Sequence, residues 1–454
     1  MQLVSAIITL ILCLSFFIID REKKLIIIFI GNICFDSFQF ADFSFATFKS
    51  FSYLCFFISE LKYISYYITE IKRTPIFKLL LIVFIGAIIV ISTSKNINSF
   101  NTLFGFIIND LIAKYVIIVY SFVALKNYIT FDKLEKILFT CILFITFIGI
   151  INFLLKTPIW KDLFSPDSNT LNFDSDTRFR VLSTFIYSFD YGQTNFMLLL
   201  ITLYGKSKRL ITNFKFKLSI ACCLFGIIVC GCRTVLASSL IGFTVYILFN
   251  YTTAKVVKYY LACLSCFILS YCFIPQVQEK TEFLLSAIDP DSKVNGSSSS
   301  MRLEQYATVF MLIQDKPFIG NGHNYFLRDL GWDKGEGAIA TKYSKLAGLE
   351  GAIMSILLER GFIGVFVYSF FYIGLICFAL KMRKKARSEC ATAIAILISF
   401  IAYGNMTGEL NSASLTFLLS GFLLKLAYLK NNTNYNIVYR LTHRHNPIII
   451  NQIS

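Results

Sequence analysis

Gly351–Leu380 reads GAIMSILLERGFIGVFVYSFFYIGLICFAL, and Lys381–Arg387 directly after it reads KMRKKAR. The apolar run exceeds the roughly 20 residues that a helix needs to cross the hydrocarbon of a bilayer. The basic stretch closing it contains no acid, as expected of a connection held on the cytoplasmic side beside anionic lipid. Together they read as a transmembrane helix with a fixed direction, starting outside and ending inside.

The pattern recurs along the chain. Apolar runs fall near 2–19, 25–41, 43–59, 76–92, 103–125, 134–155, 184–204, 217–232, 234–251, 258–275, 351–380, 390–407 and 413–429. The stretch 25–59 is the least regular, because Asp36, Asp42 and Lys49 interrupt it. Two short helices, or one helix with a re-entrant piece, both fit it. The run Met1–Ile19 lacks a basic leader and a small-x-small cleavage site, so a retained first helix is expected rather than a signal peptide.

Basic connections set the orientation. Lys206, Lys208, Arg209, Lys215 and Lys217 form one, with Lys62, Lys72 and Arg73, and Lys126, Lys133 and Lys136, agreeing. The tail with Lys430, Arg440 and Arg444 belongs to the same side. Alternation then puts 156–183 and 276–350 outside, where Asp162, Asp167, Asp174, Asp176, Asp289, Asp291, Glu304, Asp315, Asp329, Asp333 and Glu336 lie. The expected fold is therefore an all-α integral membrane protein with about 12–13 transmembrane helices and one large, partly helical outer loop. Residues 1–275 form a bundle with an outer loop at 156–183, 276–350 the large outer loop, 351–430 the C-terminal spans and 431–454 a cytoplasmic tail.

Composition agrees. The 454 residues are 56% hydrophobic and only 15% charged, whereas soluble domains carry about 25% charged residues. The net charge of +16 sits in the short basic connections, so nucleic acid is not an expected partner. Of the 13 cysteines, Cys13, Cys34, Cys55, Cys141, Cys222, Cys223, Cys263, Cys266 and Cys377 lie in or beside apolar runs, and none falls in 156–183 or 276–350. They read as small hydrophobes rather than as a disulfide scaffold or zinc site.

Charges beside apolar spans at the outer face ask for a reason. Arg233 stands in Val229-Cys-Gly-Cys-Arg233-Thr234, between two runs too tightly joined for a long loop. It either snorkels to the headgroup region or presents a fixed guanidinium that grips phosphate through paired hydrogen bonds. Arg178 and Arg180 precede Val181-Leu-Ser183-Thr184, and Arg302 opens a helical pattern over Met301–Asp315 that Lys316-Pro317 ends. Singly, each could be a solvated surface charge. Jointly they favour an anion site, and the diphosphate of a lipid carrier lies at the right depth. Gly320-Asn-Gly322 is a turn suited to close backbone approach.

Glu350, at the opening of the 351–380 helix, reads as a dipole-satisfying carboxylate or as a group that orients or deprotonates a sugar hydroxyl. His323, with Asn324 beside it, reads as a structural loop histidine or a substrate contact. Glu359 and Arg360 either pair locally or mark a kink.

Arg302, then Lys316-Pro-Phe-Ile-Gly320-Asn-Gly322, then Glu350, then Leu358-Glu-Arg-Gly361-Phe-Ile-Gly364, resembles the O-antigen ligase/polymerase superfamily in order and spacing. Cys232-Arg233-Thr234 is similar to its Ser-Arg-Thr step, with Cys for Ser, and Arg180 through Gly192 resembles the segment ahead of it. The resemblance covers roughly 178–364. Ligases are expected to carry His-Asn where this chain has Glu350-Gly351, so the resemblance leans to an O-antigen polymerase in a bacterial inner membrane, with the large loop periplasmic. It implies glycosyl transfer between undecaprenyl-pyrophosphate-linked repeats, with no metal and no other cofactor. Arg233 and Arg302 would face the pyrophosphate, Arg180 (with Arg178) an acceptor or second phosphate, and Glu350 the acceptor hydroxyl. His323 and Asn324 would line the substrate. A flippase and a chain-length regulator are the implied partners. The alternatives are a ligase moving glycan to lipid A core, and a flippase or other transporter.

Overall fold

The computed structural model describes residues 2–38, 47–95, 97, 100–124, 129–160, 179–273, 278, 298–331, 343, 346, 349–408 and 411–431. Among the described residues, each apolar run contains a helix. In chain order these are α1 (Gln2–Ser15), α2 (Arg21–Cys34), α3 (Phe48–Glu60), α4 (Ile64–Lys72) and α5 (Pro75–Thr93). Next comes a composite helix of α6 (Phe100–Gly105), a π-helical stretch (Phe106–Val116) and α7 (Ile117–Ala124). Then follow α8 (Ile129–Leu155), α9 (Ser188–Ser207), α10 (Asn213–Val229), α11 (Arg233–Asn250) and α12 (Thr253–Phe273). The outer segment contributes α13 (Ser298–Leu312), and the chain returns through α14 (Ala352–Met382), α15 (Arg387–Thr407) and α16 (Ala413–Asn431).

Among the described residues, seven helices are long and apolar enough to cross a membrane: Pro75–Thr93, Thr102–Ala124, Lys133–Leu155, Arg233–Asn250, Ala352–Met382, Arg387–Thr407 and Ala413–Asn431. The remaining expected spans are shorter or more polar. α1 and α2 have 14 residues each and α3 has 13. α9 carries Asp190, Gln193, Thr194 and Asn195, all buried against protein. A helix shielded from lipid can be that polar if its groups are paired. Here Gln193 donates to Ser399 Oγ (3.1 Å) and accepts from Ser238 (3.2 Å), tying α9 to α15 and α11.

The interrupted stretch 25–59 resolves into α2 and α3. Its Asp36 and Lys49 pair with each other at 3.1 Å, and Lys24 and Glu60, which flank it, meet at 2.7 Å. Asp42 lies outside the described residues.

The basic connections gather at one end of the bundle. Lys208 and Lys430 both reach Glu389, at 2.8 and 3.4 Å. Arg387 Nε donates to the Phe249 carbonyl and Lys385 to that of Asn431, each at 3.1 Å. The start of α9, the α10–α11 turn, α13 and the start of α14 lie at the other end.

α14 is broken. Gly361 has φ 61° and ψ −162°, a region essentially reserved for glycine. The segment after α13 supplies the hydrogen bonds that the break removes. Asn321 N donates to Leu358 O (3.0 Å) and Gly322 N to Glu359 O (2.8 Å), while Phe362 N and Ile363 N donate to Pro317 O (2.9 Å) and Phe318 O (3.1 Å). Non-helical backbone at membrane depth needs such substitutes. A Cβ on Gly320 would stand 2.5 Å from the Glu359 carbonyl carbon, so only glycine permits the approach. The two glycine motifs of the sequence are thus one structural unit.

Candidate functional site

Arg302 projects from the first turns of α13 and meets Glu350 just before α14. Its Nε donates to Glu350 Oε2 at 2.7 Å, its Nη2 donates to the same oxygen, and Nη2 also reaches the Met406 carbonyl in the last turn of α15 at 3.1 Å. Glu350 Oε1 and Arg302 Nη1 make no hydrogen bond among the described residues. The two side chains stay 32% and 27% exposed. The pair is therefore only partly engaged, and both side chains keep accessible surface.

The frame around it is rigid. Gln305, fully buried, accepts from Glu350 N at 3.2 Å. Asn405 of α15 caps the start of α14 by accepting from Ile353 N at 3.2 Å, and its own amide is fixed to Ile401 O at 2.9 Å. Gly351, at φ 112°, sits under the Tyr306 hydroxyl and the Asn405 carbonyl. Val309, Ile313, Leu349, Leu357 and Leu358 form the apolar contact that seats α13 on α14. A functional pair needs this kind of supporting shell to hold its geometry.

The second arginine group lies at the α10–α11 turn. Gly231 (φ 64°) turns the chain, Cys232 is the N-cap and Arg233 the first residue of α11. A helix N-terminus carries the positive end of the helix dipole, which with a cation at the same place favours an anion. Arg180 packs over this turn: a Cβ on Gly231 would meet its Cγ at 3.2 Å, and Val181 N donates to Val229 O at 3.1 Å. α11 runs beside α15, whose last turn receives Arg302. Arg178 lies outside the described residues.

His323 and Asn324 occupy a different place. Asn324 adopts the left-handed conformation (φ 59°) that caps the π-helical turn Tyr325–Asp329, a backbone task asparagine tolerates. In that turn, burial pushes the Tyr325 phenol above its ordinary range, with Tyr343 and Asp329 adding to it. His323 is buried, its backbone N–H donating to Ser94 Oγ at 2.8 Å. Its Nε2 faces Asp110 Oδ2 at 3.8 Å and its Nδ1 faces Glu359 Oε2 at 4.0 Å. Asp110 also meets Lys114 (2.6 Å) and Arg360 (3.6 Å). Glu359 and Arg360 therefore mark the kink, and Arg360 pairs across to the π-helical stretch. Asp110 and Lys114, four residues apart in the run 103–125, were the sequence signal for this cluster.

Residues 218–369 match the family described as O-antigen ligase. The matched stretch is about a third of the chain, running from α10 to the middle of α14, and it contains Arg233, Arg302, His323, Glu350 and the helix break. No curated protein matches the chain. Over that stretch the chain is similar to the ligase/polymerase superfamily, which supports a glycosyltransferase-like role in polysaccharide assembly by a multi-pass membrane protein.

Proposed function

We propose that the chain polymerises lipid-linked oligosaccharide repeats at the outer face of the bacterial inner membrane. The half-open Arg302–Glu350 pair carries this reading. In the transfer, a hydroxyl of the incoming repeat attacks the anomeric carbon of the growing glycan. A new C–O bond forms, the bond to the carrier diphosphate breaks, and the hydroxyl proton leaves toward a carboxylate or the departing phosphate. Charge grows on the leaving group, so fixed cations aimed at it lower the barrier. The groups we assign to that field are Arg233 at its helix N-terminus, Arg180 at the same turn and Arg302. Glu350, held by Arg302 through Oε2, offers Oε1 to the acceptor hydroxyl. The chemistry asks for no metal. Orientation follows from the basic end, with the site at the opposite end.

Glu350-Gly351 in place of the His-Asn expected of ligases favours polymerase over ligase. Surface glycan from cells lacking the chain separates the readings on a gel. Loss of a polymerase leaves single repeats on the surface lipid. Long polymer retained on the carrier would instead mark a ligase, and absence of exported repeats a transporter.

A further inference from the structure

The cluster around His323 lies about nine residues along α14 from Glu350, roughly 13 Å of helical rise, so it is a separate centre. About 20 residues separate Gly361 from Lys381, enough to span the hydrocarbon, which puts the break and this cluster near one boundary of the membrane. Ionisable groups at such depth are retained for a reason. The π-helical stretch Phe106–Val116 that presents Asp110 is itself a rare geometry, frequent at functional sites.

The ring of His323 has a carboxylate oxygen opposite each nitrogen, Asp110 at 3.8 Å and Glu359 at 4.0 Å. A neutral imidazole carries one N–H and must turn a lone pair toward one of these carboxylates, whereas the imidazolium donates on both sides. The cations nearby, Lys114 and Arg360, pair with Asp110. Among the described residues, His323 is the one basic group within 4.0 Å of Glu359. Tyr115 on the π-helical stretch and Tyr368 on α14 line the same place as Asp110 and Arg360, Tyr325 and Asp329 follow in the π-helical turn, and Lys316 and the exposed Lys95 lie on the flanking segments. The edge of Phe106 closes the site at 5.0 Å between centroids.

We propose that Asp110, His323 and Glu359 form a proton-binding site that pins the Pro317–Gly322 turn into the break of α14. With the proton bound, the imidazolium staples the turn to α14 and to the π-helical stretch. Without it, the neutral ring donates on one side only, toward one of the two acids, and the turn is released. The pinned state binds the extra proton, so it is favoured at acid pH and lost as pH rises through the titration of the ring.

Amide hydrogen exchange on the full chain in nanodiscs reads this directly. The reporters are the N–H groups of Gly320, Asn321, Gly322, His323, Phe362 and Ile363, which form the turn or join it to its neighbours. After correction for intrinsic rates, their protection should fall about tenfold or more between acid and mildly alkaline pH, the size of a one-unit difference in proton affinity between the two states. In His323→Gln, protection should be low and independent of pH. Glu359→Gln, which keeps the shape but removes one facing charge, should flatten the profile as well. Protection in the wild type that is indifferent to pH, or a wild-type profile persisting in either variant, would overturn the proposal. The readout is independent of glycosyl transfer, so it stands or falls apart from the proposed reaction.

Discussion

Arg302 gives the residue scale its sharpest prediction. Its planar fork holds Glu350 and the Met406 carbonyl at once, which a lysine ammonium cannot reproduce. Arg302→Ala and Arg302→Lys should both remove long-chain glycan while protein abundance, followed by immunoblot, is unchanged. Glu350→Gln keeps an acceptor but loses the charge, and should slow transfer by about 100-fold or more, in the range found when one charge-stabilising group is deleted. Arg233→Ala should have the same phenotype as Arg302→Ala. Normal glycan ladders in these variants would remove the side chains from the mechanism. Arg302 and Glu350 could be singled out from the sequence because a charge at the edge of an apolar run is conspicuous. Their mutual contact was not legible, since 48 positions separate them and only the packing of α13 on α14 brings them together. Asp110 with Lys114 four residues on could have marked its cluster, but the partners that reach it from 323 and 360 were not legible before the fold brought them together.

The broken helix is the test at the scale of an element. Gly361→Ala places a Cβ against the Phe318 carbonyl at a φ of 61°, and such backbone strain alone amounts to about 1–3 kcal/mol. The melting temperature of the purified protein should fall clearly. Gly105→Ala is the control, because Gly105 is helical with open space around it; there alanine should be neutral or slightly stabilising. Equal melting temperatures for the two variants would contradict the account of the break. At this scale the sequence was most readable: periodic apolar runs, Lys316-Pro317 as a helix stop and paired glycines as sites of close approach. It could not say that the two glycine motifs dock on each other. That docking depends on which carbonyls of α14 are left unpaired by a conformation set within the fold.

For the whole molecule, the basic end is held by a carboxylate shared between helices. Glu389 is fully buried and takes Lys208 and Lys430. Glu389→Ala should destabilise the protein by about 2–4 kcal/mol, less than a wholly buried pair would, because both lysines reach partly into water. Thermal unfolding in detergent measures it, and an unchanged midpoint would show that the network is dispensable. Hydropathy and loop charge were sufficient to read a helical membrane protein with its basic connections on one end. They could not show that α9, read as a span, runs through the bundle with its polar residues Asp190, Gln193, Thr194 and Asn195 buried against protein.

In the proposed reaction one chain, through Arg302 and Glu350, joins lipid-linked repeats. Purified protein in nanodiscs, supplied with a lipid-linked repeat unit, should yield a ladder of multiples with carrier diphosphate released in step. Chelation of divalent metal should leave the ladder unchanged, and Arg302→Ala should abolish it. Absence of multiples from the wild-type protein, or an identical ladder from Arg302→Ala, would contradict the account.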